Sequence, residues 1–103
     1  MMTAPLRTRI ADTINEKLFQ GLVTEYAGLN GWATYHTRDS RGSDPGFPDL
    51  VLVRDRVIFA ELKAARGRVT NDQRAWAAAL EAAGAVYYLW RPADWPEIET
   101  VLR

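Results

Sequence analysis

The stretch Gly46-Phe47-Pro48-Asp49-Leu50-Val51-Leu52-Val53-Arg54-Asp55-Arg56-Val57-Ile58-Phe59-Ala60-Glu61-Leu62-Lys63 decides how this chain is read. Two apolar, β-branched runs flank a charged three-residue connector, the pattern of strand, tight loop and strand. With the loop centred on Asp55, Asp49 falls opposite Glu61. Directly opposed side chains have Cβ atoms about 4.5–5.5 Å apart, where like charges destabilise the pair. Alternation along the second strand then turns Glu61 and Lys63 to one face and Leu62 to the other. Two carboxylates so placed need a cation, and a divalent metal beside the Lys63 ammonium meets that need. Both acids also interrupt otherwise apolar runs, where an unpaired charge is costly.

The donor types narrow the metal. The chain has no cysteine and a single histidine, so oxygen ligands dominate. Such a set suits magnesium, with manganese as a substitute, rather than zinc. A metal of this kind can polarise a phosphodiester and activate water. Lys63 is then placed to stabilise charge in the transition state or to orient the attacking water. The bland alternative is that Glu61 and Lys63 are exposed edge-strand residues forming a surface pair of little worth.

Outward from the hairpin, apolar residues at Ile10, Ile14, Leu18, Leu22 and Tyr26 predict one amphipathic helix from about residue 7 to 29, ended by Asn30-Gly31. Trp32 to Thr37 reads as a strand, and the Gly-, Pro-, Ser- and Asp-rich segment from Arg38 to Pro48 as a loop. After the connector Arg66-Gly67-Arg68, Thr70-Asn71-Asp72-Gln73 fits a capping box. It opens an alanine-rich helix whose Trp76, Leu80 and Ala83 are expected to face inward. Ala85 to Trp90 predicts a buried fourth strand, and Asp94 a cap for a short closing helix. The fold class expected is therefore α/β in the order αβββαβα. Its mixed four-stranded sheet has three antiparallel strands and a parallel fourth, with helices on both faces.

Bulk properties fit one domain over residues 1–103, with 48% hydrophobic and 25% charged residues, a globular rather than disordered balance. No signal-like or membrane-length apolar run occurs, so a soluble, intracellular protein is expected. Net charge is zero, which counts against a protein that grips nucleic acid by bulk electrostatics alone. Even so, Arg38, Arg41, Arg66 and Arg68 lie on segments flanking the hairpin and are reasonable phosphate contacts. His36, the only histidine, is a candidate for touching substrate or the attacking water. Trp32, Trp76 and Trp90 read as core rather than as base-stacking platforms.

Pro48-Asp49 with Glu61-Leu62-Lys63 in this element order resembles the PD-(D/E)XK nuclease superfamily. Glu16, Gln20 and Val23, then Gly31-Trp32, Tyr35-His36-Thr37, Gly46-Phe47-Pro48-Asp49-Leu50 and Gln73-Arg74-Ala75-Trp76, narrow the resemblance to the VRR-NUC family. The resemblance covers about residues 14 to 95 and implies a restriction-endonuclease-like core in the family's stand-alone form. It implies that Asp49, Glu61 and the main-chain carbonyl of Leu62 bind the metal, that Glu16 contributes to the site, and that Lys63 is the catalytic lysine. Gln73 matches a glutamine that opens the helix after the motif.

The function so implied is a magnesium-dependent DNA endonuclease selective for structure. The form favoured is a homodimeric four-way (Holliday) junction resolvase in the cytoplasm of a bacterial or phage-infected cell. A nicking or flap-directed nuclease within a replication, repair or packaging complex keeps the chemistry and changes the target. A DNA-binding module without catalysis is the rival from another class; zero net charge and an intact Asp49/Glu61/Lys63 set count against it.

Overall fold

A computed structural model describes residues 6–38, 42 and 44–103, with side chains of the first helix described from Ile10 onward. Its elements are α1 (Leu6–Thr13), α2 (Glu16–Leu29), β1 (Ala33–His36), β2 (Leu50–Val53), β3 (Val57–Leu62), α3 (Asn71–Ala82), β4 (Val86–Trp90), a 3-10 turn (Pro92–Asp94) and α4 (Trp95–Leu102). The strands lie in the order β1-β2-β3-β4. The first two pairings are antiparallel and the third, across α3, is parallel. This is the mixed sheet expected.

The hairpin register is also the one the sequence predicts. Leu50 pairs with Ala60, Val51 with Phe59, Leu52 with Ile58 and Val53 with Val57, so the next step outward sets Asp49 against Glu61. The three-residue loop closes through the Arg54 amide, which donates to the Arg56 carbonyl at 3.1 Å. Alternation gives the sheet two unlike faces. Leu50, Leu52, Ile58, Ala60, Leu62 and Trp90 share one and are buried beneath Phe19, Val23 and Ala27 of α2 and Ile98 and Leu102 of α4. The other carries Asp49, Glu61 and Lys63, and α3 covers it only near β3 and β4.

The tip of the hairpin is fixed to the helix ends behind it. Arg54 lies over the Trp32 ring at 4.5 Å and donates to the carbonyls of Asn30 (2.9 Å) and Leu102 (3.4 Å), while Arg56 donates to Val101 (3.2 Å). Cations suit these positions because the last carbonyls of a helix carry partial negative charge. Trp32 is buried and its Nε1 donates to the Leu102 carbonyl at 2.8 Å.

Several local expectations need correction. The single helix over residues 7–29 is two helices. Asn15 breaks it, standing in extended conformation and accepting the Leu18 amide at 2.8 Å on Oδ1. That cap resets the phase, so Phe19, Val23 and Ala27 are buried, whereas Ile10 is 51% and Leu18 53% exposed. Ala83 is exposed, and no residue of α3 is fully buried. The fourth strand is an edge strand, and of its residues only Trp90 is buried. Asp94 accepts the Arg91 amide at 2.8 Å, closing the 3-10 turn, and makes no side-chain cap to α4.

Candidate active site

Three segments converge where β3 ends. The loop before β2 brings Asp49, the end of β3 brings Glu61 and Lys63, and the first turn of α3 brings Gln73. Asp49 Oδ2 accepts the Leu62 main-chain amide at 2.8 Å, which holds this carboxylate against the neighbouring strand. Glu61 Oε2 accepts the Gln73 side-chain amide at 2.7 Å and faces Lys63 Nζ at 3.6 Å. Glu61 is 2% exposed and Lys63 8%, so the edge-strand alternative is set aside: this is a buried ion pair. Its other oxygen, Oε1, is buried with no hydrogen-bond partner among the described residues.

That orphan oxygen matters because a buried carboxylate without partners is costly. Burial, and then the negative charge of Asp49, push Glu61 up to about 8 against the pull of Lys63. Glu16, at the start of α2, is raised for the same two reasons in the same order, again opposed by Lys63. Its charge senses Asp49 and Lys63, yet no cluster of three or more His, Cys, Asp or Glu gathers among the described residues. A hard cation between Asp49 and Glu61 would fit the donor set, since magnesium retains several waters and uses only one or two carboxylates.

The loop carrying Asp49 rests on the same helical turn that carries Gln73. Gly46 has φ +86°, and a Cβ there would lie 2.4 Å from the Asp72 carbonyl carbon. Only glycine allows both the backbone conformation and that approach. Phe47 then inserts edge-on against Phe59 and Trp76, at 6.0 and 5.0 Å between ring centroids. Thr37 fastens the loop from the other side, its hydroxyl donating to the Pro48 carbonyl at 2.6 Å and its amide to the Asp49 carbonyl at 2.8 Å. On α3 the capping box forms as expected, with the Gln73 amide on Thr70 Oγ1 (3.1 Å) and the Thr70 amide on Gln73 Oε1 (2.9 Å).

Not every candidate is brought in. His36 pairs with Leu50, so alternation sets it on the side of the sheet away from the carboxylates, where it is exposed. Arg38, Arg66 and Arg68 are exposed on the flanking segments, and Arg41 lies outside the described residues. Arg91 was not singled out by sequence, yet its Nη1 donates to the carbonyls of Ala64 (2.7 Å), Ala65 (3.3 Å) and Gly67 (2.9 Å). It thereby fixes the connector leaving Lys63. The parallel register, with Leu62 beside Trp90, is the signal that places the next residue against that connector.

A mixed sheet with a carboxylate pair and a lysine at the end of its central hairpin is the architecture of the PD-(D/E)XK nuclease class. The model of the VRR-NUC domain matches residues 8–92, and the chain belongs to that family. Among solved structures, one described as a VRR_NUC domain protein is similar in fold, with a TM-score of 0.67 at 17% identity over 86% of this chain and 85% of that one. No curated protein sequence matches. The chain is thus a nuclease-type DNA-processing domain. No helix among the described residues is long and apolar enough to cross a membrane.

Proposed function

We propose that this chain is a magnesium-dependent endodeoxyribonuclease that cuts branched DNA, acting as a homodimeric four-way junction resolvase. The observation that carries the chemistry is the buried Glu61, with one oxygen on Gln73 and Lys63, the other without a partner, and Asp49 beside it. Asp49 and Glu61 would hold the metal, joined by the Leu62 carbonyl and, across the gap, by Glu16. When bound, magnesium or manganese would supply Lewis-acid stabilisation of the phosphoryl oxygens. Lys63, beside Glu61 in the same cluster, would stabilise charge developing on the scissile phosphate. Gln73 keeps Glu61 turned toward Asp49 rather than toward solvent.

Two considerations support a pair of protomers. A single domain of this size presents little surface to DNA, and single-module DNA interfaces bury only roughly 600–1,000 Å2. Tyr35, Val53 and Val57 are 60%, 43% and 45% exposed on the same side of the sheet as the carboxylates, an apolar patch that a second copy would cover. Two copies also give two cutting centres, as symmetric cleavage of a junction requires. Arg38, Arg66 and Arg68 are the candidate DNA contacts flanking each centre; Arg41 keeps that assignment from sequence alone, and His36, on the other face of the sheet, would meet DNA only away from the carboxylates.

The test compares four-way junction, flap and linear duplex with magnesium, beside the solution mass and beside D49A and E61A binding in calcium. The resolvase reading expects paired cuts in the junction arms, a dimeric mass, and variants that bind without cutting. Linear duplex cut as fast as junctions would sink the resolvase assignment while leaving a nuclease. A flap preference would favour the repair-type nuclease. Wild type as inactive as its variants on every DNA, with binding intact, would remove the enzyme claim.

A further inference from the structure

The first turn of α3 has a second side. Beside the Thr70 cap, a cavity of about 550 Å3 opens between the connector at residues 67–71, Arg74 of α3 and Arg91 after β4. Three arginines line it and no acidic side chain does. Arg91 is a fixed charge, pinned by the three connector carbonyls it binds. Arg68 and Arg74 are exposed, and Arg74 Nη1 is steadied by Asn71 Oδ1 at 3.1 Å. None of the three makes an ion pair among the described residues. The positive end of the twelve-residue helix α3 adds to the same potential.

We propose that this cavity seats a phosphodiester of the bound DNA strand neighbouring the one held at Asp49 and Glu61. Arg68 and Arg74 grip it, and Arg91 forms the positive floor. Guanidinium forks match phosphate oxygens in a way that single amines do not. The assignment to DNA rather than to a free anion comes from the shared wall. Thr70 lines the cavity and caps Gln73, and Gln73 in turn holds Glu61, so one capping box spans the cavity and the carboxylates. The inference rests on the nuclease reading and supplies what zero net charge leaves unexplained: a local grip on the backbone.

The test measures binding to a four-way junction and to linear duplex in calcium, from low to moderate salt, for wild type and R68A/R74A. Both side chains are exposed, so the variant is expected to melt as wild type does; R68A alone serves if it does not. Affinity should fall roughly tenfold or more on both DNAs alike. The slope of log affinity against log salt should flatten by about 1, for the one phosphate that the two arginines share. R68K/R74K should keep the slope and lose part of the affinity. Unchanged affinity and slope would overturn the inference, while magnesium-dependent cutting by wild type would still stand as the separate measure of the nuclease reading. Wild type that bound no DNA would overturn both. Inorganic phosphate bound by wild type and lost in R68A/R74A, with DNA affinity equal, would make the cavity a small-anion site and end the DNA assignment.

Discussion

Gln73 donates to Glu61 at 2.7 Å with its side-chain amide while its side-chain oxygen accepts the Thr70 amide at 2.9 Å. One residue therefore closes the start of a helix and orients a buried carboxylate. The two tasks can be separated by substitution. Q73E keeps the capping box, because glutamate suits that position, but adds a third acid to the Asp49 and Glu61 pair. It should stay folded and lose roughly 10–100-fold in cleavage, the usual cost of removing a group that orients a metal ligand. Q73A should lose activity similarly and also about 1 kcal/mol of stability. Denaturant unfolding alongside cleavage rates distinguishes them; Q73E as active as wild type would show that Gln73 does not position Glu61.

Stability without metal should fall as pH rises from about 4.5 to about 8. Glu61 is raised from its ordinary 4.5 to about 8, so over that window the folded protein binds the extra proton and the unfolded chain does not. Stability from this group is then complete below the unfolded value and lost on passing the folded one. E61Q, which cannot ionise, should flatten the profile; K63M, which removes the opposing charge, should carry the fall on to higher pH. Thermal melting in a chelating buffer at several pH values reads both, and identical profiles for wild type and E61Q would refute the point.

G46A should damage the site through the backbone. The added methyl meets the Asp72 main chain and the residue must hold φ +86°, so the loop has to move and carry Asp49 with it. A loss of at least about 1–3 kcal/mol is expected from the strained conformation. Cleavage measured well below the melting temperature should still be reduced. Full activity there would mean that the loop's seat on α3 does not set Asp49.

N15A tests the break between α1 and α2. Loss of the cap to the Leu18 amide should cost about 0.5–2 kcal/mol, read by denaturant unfolding. Because Asn15 directly precedes Glu16, the start of α2 should fray and change the surroundings of that acid. An unchanged midpoint would mean that α2 is held by Phe19, Val23 and Ala27 alone.

The hairpin register, the parallel fourth strand and the capping box were legible because each is governed by short-range rules: alternation, loop length and side-chain-to-backbone bonds. Asp49 opposite Glu61 follows directly from a loop centred on Asp55. The phase of the first helices was not legible. Asn15 is an ordinary polar residue within an apolar repeat, and only its extended backbone reveals it as a cap. The Gln73 bond to Glu61 needs the crossover geometry of α3, and the Arg91 clamp needs the parallel register. Burial of Glu61 and Lys63 depends on how closely α3 covers the sheet, a packing outcome that alternation alone does not report.

The two bonds that define the cluster are short in sequence as well as in space. Asp49 reaches Leu62 across 13 positions, and Glu61 reaches Gln73 across 12. Closing such loops costs little chain entropy, because that cost grows only with the logarithm of length. Contacts of this kind can form before the distant ends of the chain meet, as low contact order favours early structure. Hydrogen exchange during refolding should therefore protect the hairpin and the first turn of α3 before the Trp32 to Leu102 bond, which joins residues 70 positions apart. The cluster of Asp49, Glu61 and Gln73 would then be assembled as an early folding unit, with the terminal helices locking it afterwards.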